Sequence, residues 1–347
     1  MSTQALPWTT RPYVIAEAGV NHNGDLGLAK RLIEAAHAAG ADAVKFQTWK
    51  SGEIIGRFSI KVDYLSERSG EEESFWDIVE KLALTYPQFV ELKAHCETVG
   101  IQFLSTPDGF ESLDFLVDEL DVPFVKVGST ELTHPQFLTA VGAKGRPVIL
   151  STGLGNLAEV EAGLAAVRKG GGDDLPIVVL HCTSEYPAPA DEMNLRAMTT
   201  LAAAFGVPVG LSDHSEGAEA TIAAIAMGAC VIEKHFTLDR AMEGPDHPAS
   251  VDPQGLADLV AAVRKTTIML GDGIKRPTRR ERANMTGIRR SVLAATDLPA
   301  GTVLQPNDLV CKRPGTGVPP AQLDLLVGMT INRALQADEP IQWADVR

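Results

Sequence analysis

The chain has 347 residues, 45% of them hydrophobic, and a formal net charge of −14. That length and apolar content suffice for a full barrel core plus a small extra domain. The acidic balance argues against nucleic acid or an anionic membrane as the main partner, since both select basic surfaces.

The four cysteines (Cys96, Cys182, Cys230 and Cys311) are scattered, with no CxxC pair. They read as thiols in a reducing compartment rather than a disulfide framework or zinc knuckle. The start of the chain shows no basic segment followed by an apolar run, and no stretch is long enough to span a bilayer. The expectation is a soluble, cytoplasmic protein.

From Tyr13 to about Gly271, short apolar runs alternate with alanine-rich amphipathic segments. The runs are YVIAEAG (13–19), AVKFQT (43–48), QFLSTP (102–107), FVKVGS (124–129), PVILSTG (147–153), PIVVLHCTS (176–184), 207–212 and 229–236. Segments such as 26–40 and 157–170 separate them as helices. Buried strands alternating with helices predict a parallel sheet. Eight such units predict an α/β fold of the (β/α)8 TIM-barrel type over 1–271; an open doubly wound sheet is the alternative. No GxGxxG follows the first strand, which weakens a dinucleotide-binding reading. The long polar stretch 50–83 reads as a lid or a plain surface excursion. Residues 272–287, rich in Gly, Pro and Arg, read as a linker or extended arm. From 288 to 347 short strands and tight turns predict a second, mostly β domain, small for a core of its own.

Polar residues gather where these strands end. The seventh and eighth strands carry His214 and His235. A right-handed βαβ crossover places both at the C-terminal edge of the sheet, where barrels bind ligands. Two neutral imidazoles there suit one divalent metal with open positions; the alternative is a pair of satisfied interior histidines. Glu17 ends the first strand, and Lys45 and Gln47 share one face of the second. Thr106, Lys126, Ser129, Ser151 and Ser212 close their strands at the same edge, with Glu131 just beyond the fourth strand and Thr183, Ser184 and Tyr186 following the sixth. Lys45 and Lys126 sit inside apolar runs, where an unpaired ammonium is costly. They read as a clamp on phosphate or carboxylate, helped by the nearby hydroxyls. A buried ion pair with Glu17 or Glu131, and a Schiff-base lysine, are the alternatives. His22 reads as a turn residue, His181 as a core or supporting histidine, and His247 as a loop or site residue. His37, His95 and His134 read as helix or helix-start residues. Metal beside an anion clamp implies carbon–carbon bond chemistry or isomerisation on small anionic sugars.

With these motifs in hand, the chain resembles the sialic acid synthases, the phosphoenolpyruvate-dependent nonulosonate synthases. The resemblance runs through IAEAGVNHNG (15–24), VKFQT (44–48), FLSTP (103–107), VKVGSTEL (125–132), ILSTG (149–153), HCTSEYP (181–187), GLSDHS (210–215), EKHFT (233–237) and GPDH (244–247). The tail resembles the family's antifreeze-like (SAF) domain over 291–317. It implies condensation of phosphoenolpyruvate with an N-acetylated amino sugar, N-acetylmannosamine first, using Mn2+ or another divalent ion such as Mg2+ or Co2+. By the same resemblance His214 and His235 hold the metal. Lys45, Thr106, Lys126, Ser129, Ser151 and Ser212 contact phosphoenolpyruvate, with Ser184 and Arg279 as further contacts. Glu17, Gln47, Tyr186 and Asp246 contact the sugar. Arg313, in KRPGTG, reaches the active site of the other subunit in a domain-swapped homodimer. Glu17, Glu131 or Asp246 is expected to activate the attacking water or orient the sugar, and the sequence does not rank them. Ser184 stands where the family has asparagine, Arg276 or Arg279 where its linker has lysine, and Thr130 where glycine is frequent. The first and third of these changes open the alternative of a legionaminate or pseudaminate synthase acting on a diacetamido-trideoxy hexose.

Overall fold

Eight parallel strands form one sheet in the order β3-β2-β1-β8-β7-β6-β5-β4. They are β1 (Tyr13–Gly19), β2 (Ala43–Thr48), β3 (Gln102–Pro107), β4 (Val125–Val127), β5 (Val148–Ser151), β6 (Ile177–Cys182), β7 (Val209–Asp213) and β8 (Val231–His235). The first and last strands pair along Tyr13↔Val231 to Glu17↔His235, which bends the sheet round on itself. No ladder is recorded between β3 and β4 among the described residues, but the two strands pack side by side and close the ring. This is the TIM-like barrel that the alternation predicted. The computed structural model describes residues 6–56, 59 and 74–347. The middle of the expected lid stretch therefore lies outside the described residues.

A helix follows each strand: Leu26–Ala38, Tyr86–Val99, Phe110–Asp114, Pro135–Ala143, Leu157–Gly171, Ala197–Phe205, Glu219–Ala226 and Pro253–Leu270. Local chemistry sets several of their ends. Asn156 and Glu159 form a reciprocal capping box at the start of Leu157–Gly171. Gly100, at φ +90°, ends Tyr86–Val99 in the left-handed conformation that glycine adopts at low cost. The main core lies between sheet and helices, with Val14, Ala16, Val44, Phe46, Phe103, Leu211 and Ile232 turned outward from the strands. A second cluster fills the lower barrel interior: Trp8, Tyr13, Ile15, Ala43, Leu104, Phe124, Ile149, Val178, Leu180 and Val231. Period-two alternation makes these the two faces of the same strands. The fourth strand is shorter than predicted, because Ser129–Glu131 turns as a 3-10 helix directly after the still-extended Gly128.

The chain divides into two compact units, Met1–Gly271 and Asp272–Arg347. In the second, β9 (Ser291–Ala294) and β10 (Leu309–Lys312) pair antiparallel. They cover a small core that includes Val292, Leu304, Val318, Ile331 and Ile341. The stretch read as an extended arm instead contains a helix, Arg279–Ile288. Thr278 caps it and Glu281 returns the bond, a Thr-x-x-Glu signal hidden by the surrounding Gly, Pro and Arg. No helix among the described residues is long and apolar enough to cross a membrane.

Candidate active site in the barrel mouth

On six of the eight strands, moving two residues toward the C-terminal end changes the lumen from apolar to polar. Ile15 gives way to Glu17, Ala43 to Lys45, Leu104 to Thr106, Phe124 to Lys126, Ile149 to Ser151 and Val231 to Glu233. All six polar residues are buried. The sequence pattern is thus a floor of hydrocarbon beneath a ring of charge and hydroxyls.

The ring is tightly connected. The Lys45 ammonium lies 2.9 Å from Glu17 Oε1 and donates to Thr106 Oγ1 at 2.8 Å. The Lys126 ammonium donates to Ser151 Oγ at 2.8 Å and lies 3.4 Å from Glu233 Oε1. Glu233 also stands 3.8 Å from Lys45 and accepts from Ser212 Oγ at 3.1 Å. Gln47 Nε2 donates to Glu17 Oε1 at 3.0 Å. The ion-pair alternative is therefore realised, with Glu17 for Lys45. Lys126 pairs instead with Glu233, for which the sequence carries no distinguishing signal beyond its place one strand period before His235. Glu131 instead meets His134 Nδ1 at 2.8 Å.

Burial and charge act in opposite directions on the two carboxylates. Burial pushes Glu17 up to about 7 against the pull of Lys45. Burial also acts on Glu233, but Lys126 and Lys45 outweigh it and bring that carboxyl down to about 2. Glu233 is therefore the ionised carboxylate between the two lysines at neutral pH. Burial favours the neutral amine of Lys126, whereas Glu17 and Glu233 outweigh burial and raise Lys45. Glu17 Oε2, Glu233 Oε2 and His235 Nδ1 are buried with no hydrogen-bond partner among the described residues. These atoms mark where donors or a cation of a bound ligand would be satisfied.

One level higher stand the histidines. The rings of His214 and His235 are 5.4 Å apart at 74°. Tyr186 stacks on His214 at 4.1 Å and meets His235 edge-on at 5.3 Å. His214 Nδ1 donates to the Thr183 carbonyl at 2.8 Å, and its Nε2 stands 3.4 Å from Ser212 Oγ and 3.8 Å from Cys182 Sγ. Burial, then His214, hold His235 well below the usual range, so it is neutral. Asp246 Oδ2 lies 3.5 Å from His235 Nδ1. Burial opposes a proton on His214, but Cys182 in its thiolate form, the Thr183 carbonyl and Glu233 together outweigh it and raise the imidazole; a metal competes with that proton. The neutral His235, whose buried Nδ1 makes no hydrogen bond, and the carboxylate of Asp246 beside it suit a divalent ion. Among the described residues no three His, Cys, Asp or Glu side chains are placed together to hold a metal ion.

The motif GVNHNG supports this mouth from below. Asn21 Nδ2 donates to Phe236 O and Ser250 Oγ, each at 2.9 Å, and Ser250 Oγ donates to Asp246 O at 2.7 Å. His22 is buried and its Nδ1 accepts from Gly24 N at 3.0 Å, the expected turn role. His247 is buried against Thr237, with 2.6 Å between Nδ1 and Oγ1. His181 bonds the Met193 carbonyl at 2.7 Å. Ser129 and Ser184 converge on Gly153, where an added Cβ would lie 2.8 Å and 2.1 Å from their hydroxyls. Asp108, which sequence reasoning passed over, is pushed up to about 7 by burial. Arg279 and Arg313 lie in the second unit and are exposed.

Fold and site together define a barrel enzyme whose buried cations and histidines share one mouth. The NeuB family model matches residues 32–275 and the SAF domain model residues 289–347. N,N'-diacetyllegionaminic acid synthase of Campylobacter jejuni is 43% identical, over 95% of this chain and 98% of that protein. Human N-acetylneuraminate-9-phosphate synthase is 34% identical, over 95% and 91%. The crystal structure of N-acetylneuraminic acid (sialic acid) synthetase from Leptospira borgpetersenii in complex with citrate matches with a TM-score of 0.69 at 35% identity, covering 79% of this chain and 90% of that one. The chain belongs to the NeuB family, the nonulosonate synthases, and ends in a SAF domain.

Proposed function

We propose that this enzyme condenses phosphoenolpyruvate with the open-chain form of a diacetamido-trideoxy hexose, yielding a legionaminate-type nonulosonate and phosphate. The observation that carries the chemistry is the pair of buried ammoniums sharing Glu233 beneath two histidines. For the acceptor, the support is the greater likeness to the legionaminic acid synthase, 43% against 34% for the neuraminate-9-phosphate enzyme. Ser184, in place of the asparagine noted above, agrees with a changed acceptor. This shifts the acceptor from the expected N-acetylmannosamine to the diacetamido alternative.

Lys45 and Lys126, with Thr106, Ser151, Ser129 and Ser212, bind the phosphate and carboxylate of phosphoenolpyruvate and exchange their carboxylate partners for the substrate's. Tyr186, Gln47 and Asp246 orient the sugar so that its aldehyde carbon faces C3. The C3–aldehyde carbon bond forms from the enol π electrons, leaving C2 electron-deficient. Water adds at C2, and the C2–O bond to phosphate breaks. One proton of the water ends on the sugar hydroxyl and the other on phosphate. Glu17, brought near neutrality by burial, accepts and returns the proton in transit. Mn2+, Mg2+ or Co2+ held by His214 and His235 would supply Lewis-acid polarisation of the aldehyde oxygen. Most of the rate gain is positioning and electrostatics. Arg313 of a second copy completes the sugar site in a homodimer. The scattered cysteines support a cytoplasmic setting.

The test is phosphate release from phosphoenolpyruvate across N-acetylmannosamine, mannose and diacetamido-trideoxy hexoses, with and without EDTA. Release with the diacetamido sugar, lost on chelation, is the expected result. Release with N-acetylmannosamine alone restores the first acceptor. Silence with every sugar overturns the condensation. A second reading rests on Lys126, whose ammonium burial disfavours: a Schiff-base aldolase, which borohydride with a carbonyl substrate would trap covalently.

A further inference from the structure

We propose that the buried Asp213–Lys234 pair, on the helix-facing side of the sheet, is a positioning device that fixes the separation of His214 and His235. The inference rests on reading those two histidines as the holders of a divalent ion. Asp213 and Lys234 are opposite each other in the β7–β8 register, and each is the chain neighbour of one histidine. Alternation turns both away from the lumen. There Asp213 Oδ2 accepts from Thr221 Oγ1, on the helix Glu219–Ala226, at 2.6 Å.

The bonds enclose His214 from both sides. The Lys234 ammonium lies 3.2 Å from Asp213 Oδ2 and donates to the Ser215 carbonyl. Asp213 Oδ1 accepts from Ser215 N at 3.0 Å and from Ser215 Oγ at 2.6 Å, closing the turn. Lys234 therefore grips the residues before and after His214, while its own backbone continues into His235. A hydrocarbon pair would seal sheet against helix without the desolvation cost of two charges. Leu211 and Ile232, two residues back on the same strands, do so. What the ionic pair adds is direction: it specifies one turn geometry at 213–215, and with it one placement of the imidazole.

The test uses the full chain. Mn2+ affinity is read from the paramagnetic resonance of the free aqua ion, and geometry from the visible spectrum of the Co2+-loaded protein. The variants are Lys234→Met and the double change Asp213→Asn with Lys234→Met, which leaves no buried charge unpaired. Both are expected to weaken Mn2+ binding roughly 10- to 100-fold, as supporting residues of metal ligands do. The Co2+ spectrum should shift, while phosphoenolpyruvate affinity without metal, read by tryptophan fluorescence, keeps the parent value. A folded double variant with the parent's Mn2+ affinity and Co2+ spectrum overturns the inference. Parallel loss of Mn2+ and phosphoenolpyruvate affinity also overturns it, because that pattern belongs to general packing. A parent that binds neither ion overturns the metal reading itself, and this shows before any substitution is made.

Discussion

At the residue scale, Glu233 is the side chain whose surroundings matter most and whose sequence says least. In EKHFT it is one more charged letter, and only the register with Ser212 and the reach of two lysines from other strands give it a role. Replacing it by glutamine removes the carboxylate that both ammoniums share. Glu233→Gln is expected to lower the stability of the ligand-free protein by about 3 kcal/mol, the scale of a broken buried pair. Added phosphoenolpyruvate should recover more melting temperature in the variant than in the parent; equal recovery would remove Glu233 from the anion site. His22 gives a pH dependence. Burial brings its folded pKa down to about 4 from an ordinary value of 6.5. The unfolded chain therefore takes up the proton first as pH falls. The stabilisation is full above pH 6.5 and is lost toward pH 4, by about 3 kcal/mol. Denaturant midpoints of His22→Gln should fall less steeply than the parent's over that window. The lysines, hydroxyls and histidines were legible because each interrupts an apolar strand; Asn21 and Ser250 were not, since their bonds join residues 229 positions apart.

Among the elements, the strands were the most readable: β1, β2 and β3 occupy the predicted spans without change. Alternating lumen and helix faces explain why, since each strand must satisfy two environments at once. The helix Arg279–Ile288 was not readable from periodicity because it buries none of its residues, so no apolar stripe marks it. Helix packing offers a sharp check. At Gly142 an added Cβ would lie 2.0 Å from the Val167 carbonyl oxygen, and at Gly170 1.9 Å from that of Thr139. These glycines let Pro135–Ala143 and Leu157–Gly171 approach backbone to backbone. Gly142→Ala is expected to cost about 2 kcal/mol, the range for overpacking, despite alanine's better helix propensity. A melting temperature equal to the parent's would mean the helices separate at no cost.

For the whole molecule, composition excluded basic-surface functions and alternation supplied the barrel. The acceptor sugar was not legible, because it depends on a few side chains such as Ser184 and on their distances. Arg313 tests the contribution of the second unit to catalysis. Arg313→Ala is expected to raise KM for the sugar at least about tenfold, the loss of one charge-assisted contact. Melting temperature and the KM for phosphoenolpyruvate should hold; equal losses in all three would make the arginine structural. The hydrocarbon floor of the barrel has a kinetic meaning. From Trp8 to Val231 its side chains are at most 7% exposed, so the well is blind and has one doorway. The anion seats lie at the bottom and the imidazoles above them. Whatever enters first is then covered by what enters second, and traffic becomes a queue. Phosphoenolpyruvate should bind ahead of the sugar, in compulsory order. A dead-end sugar analogue should accordingly inhibit uncompetitively against phosphoenolpyruvate. A competitive pattern would mean that the well admits its guests in either sequence.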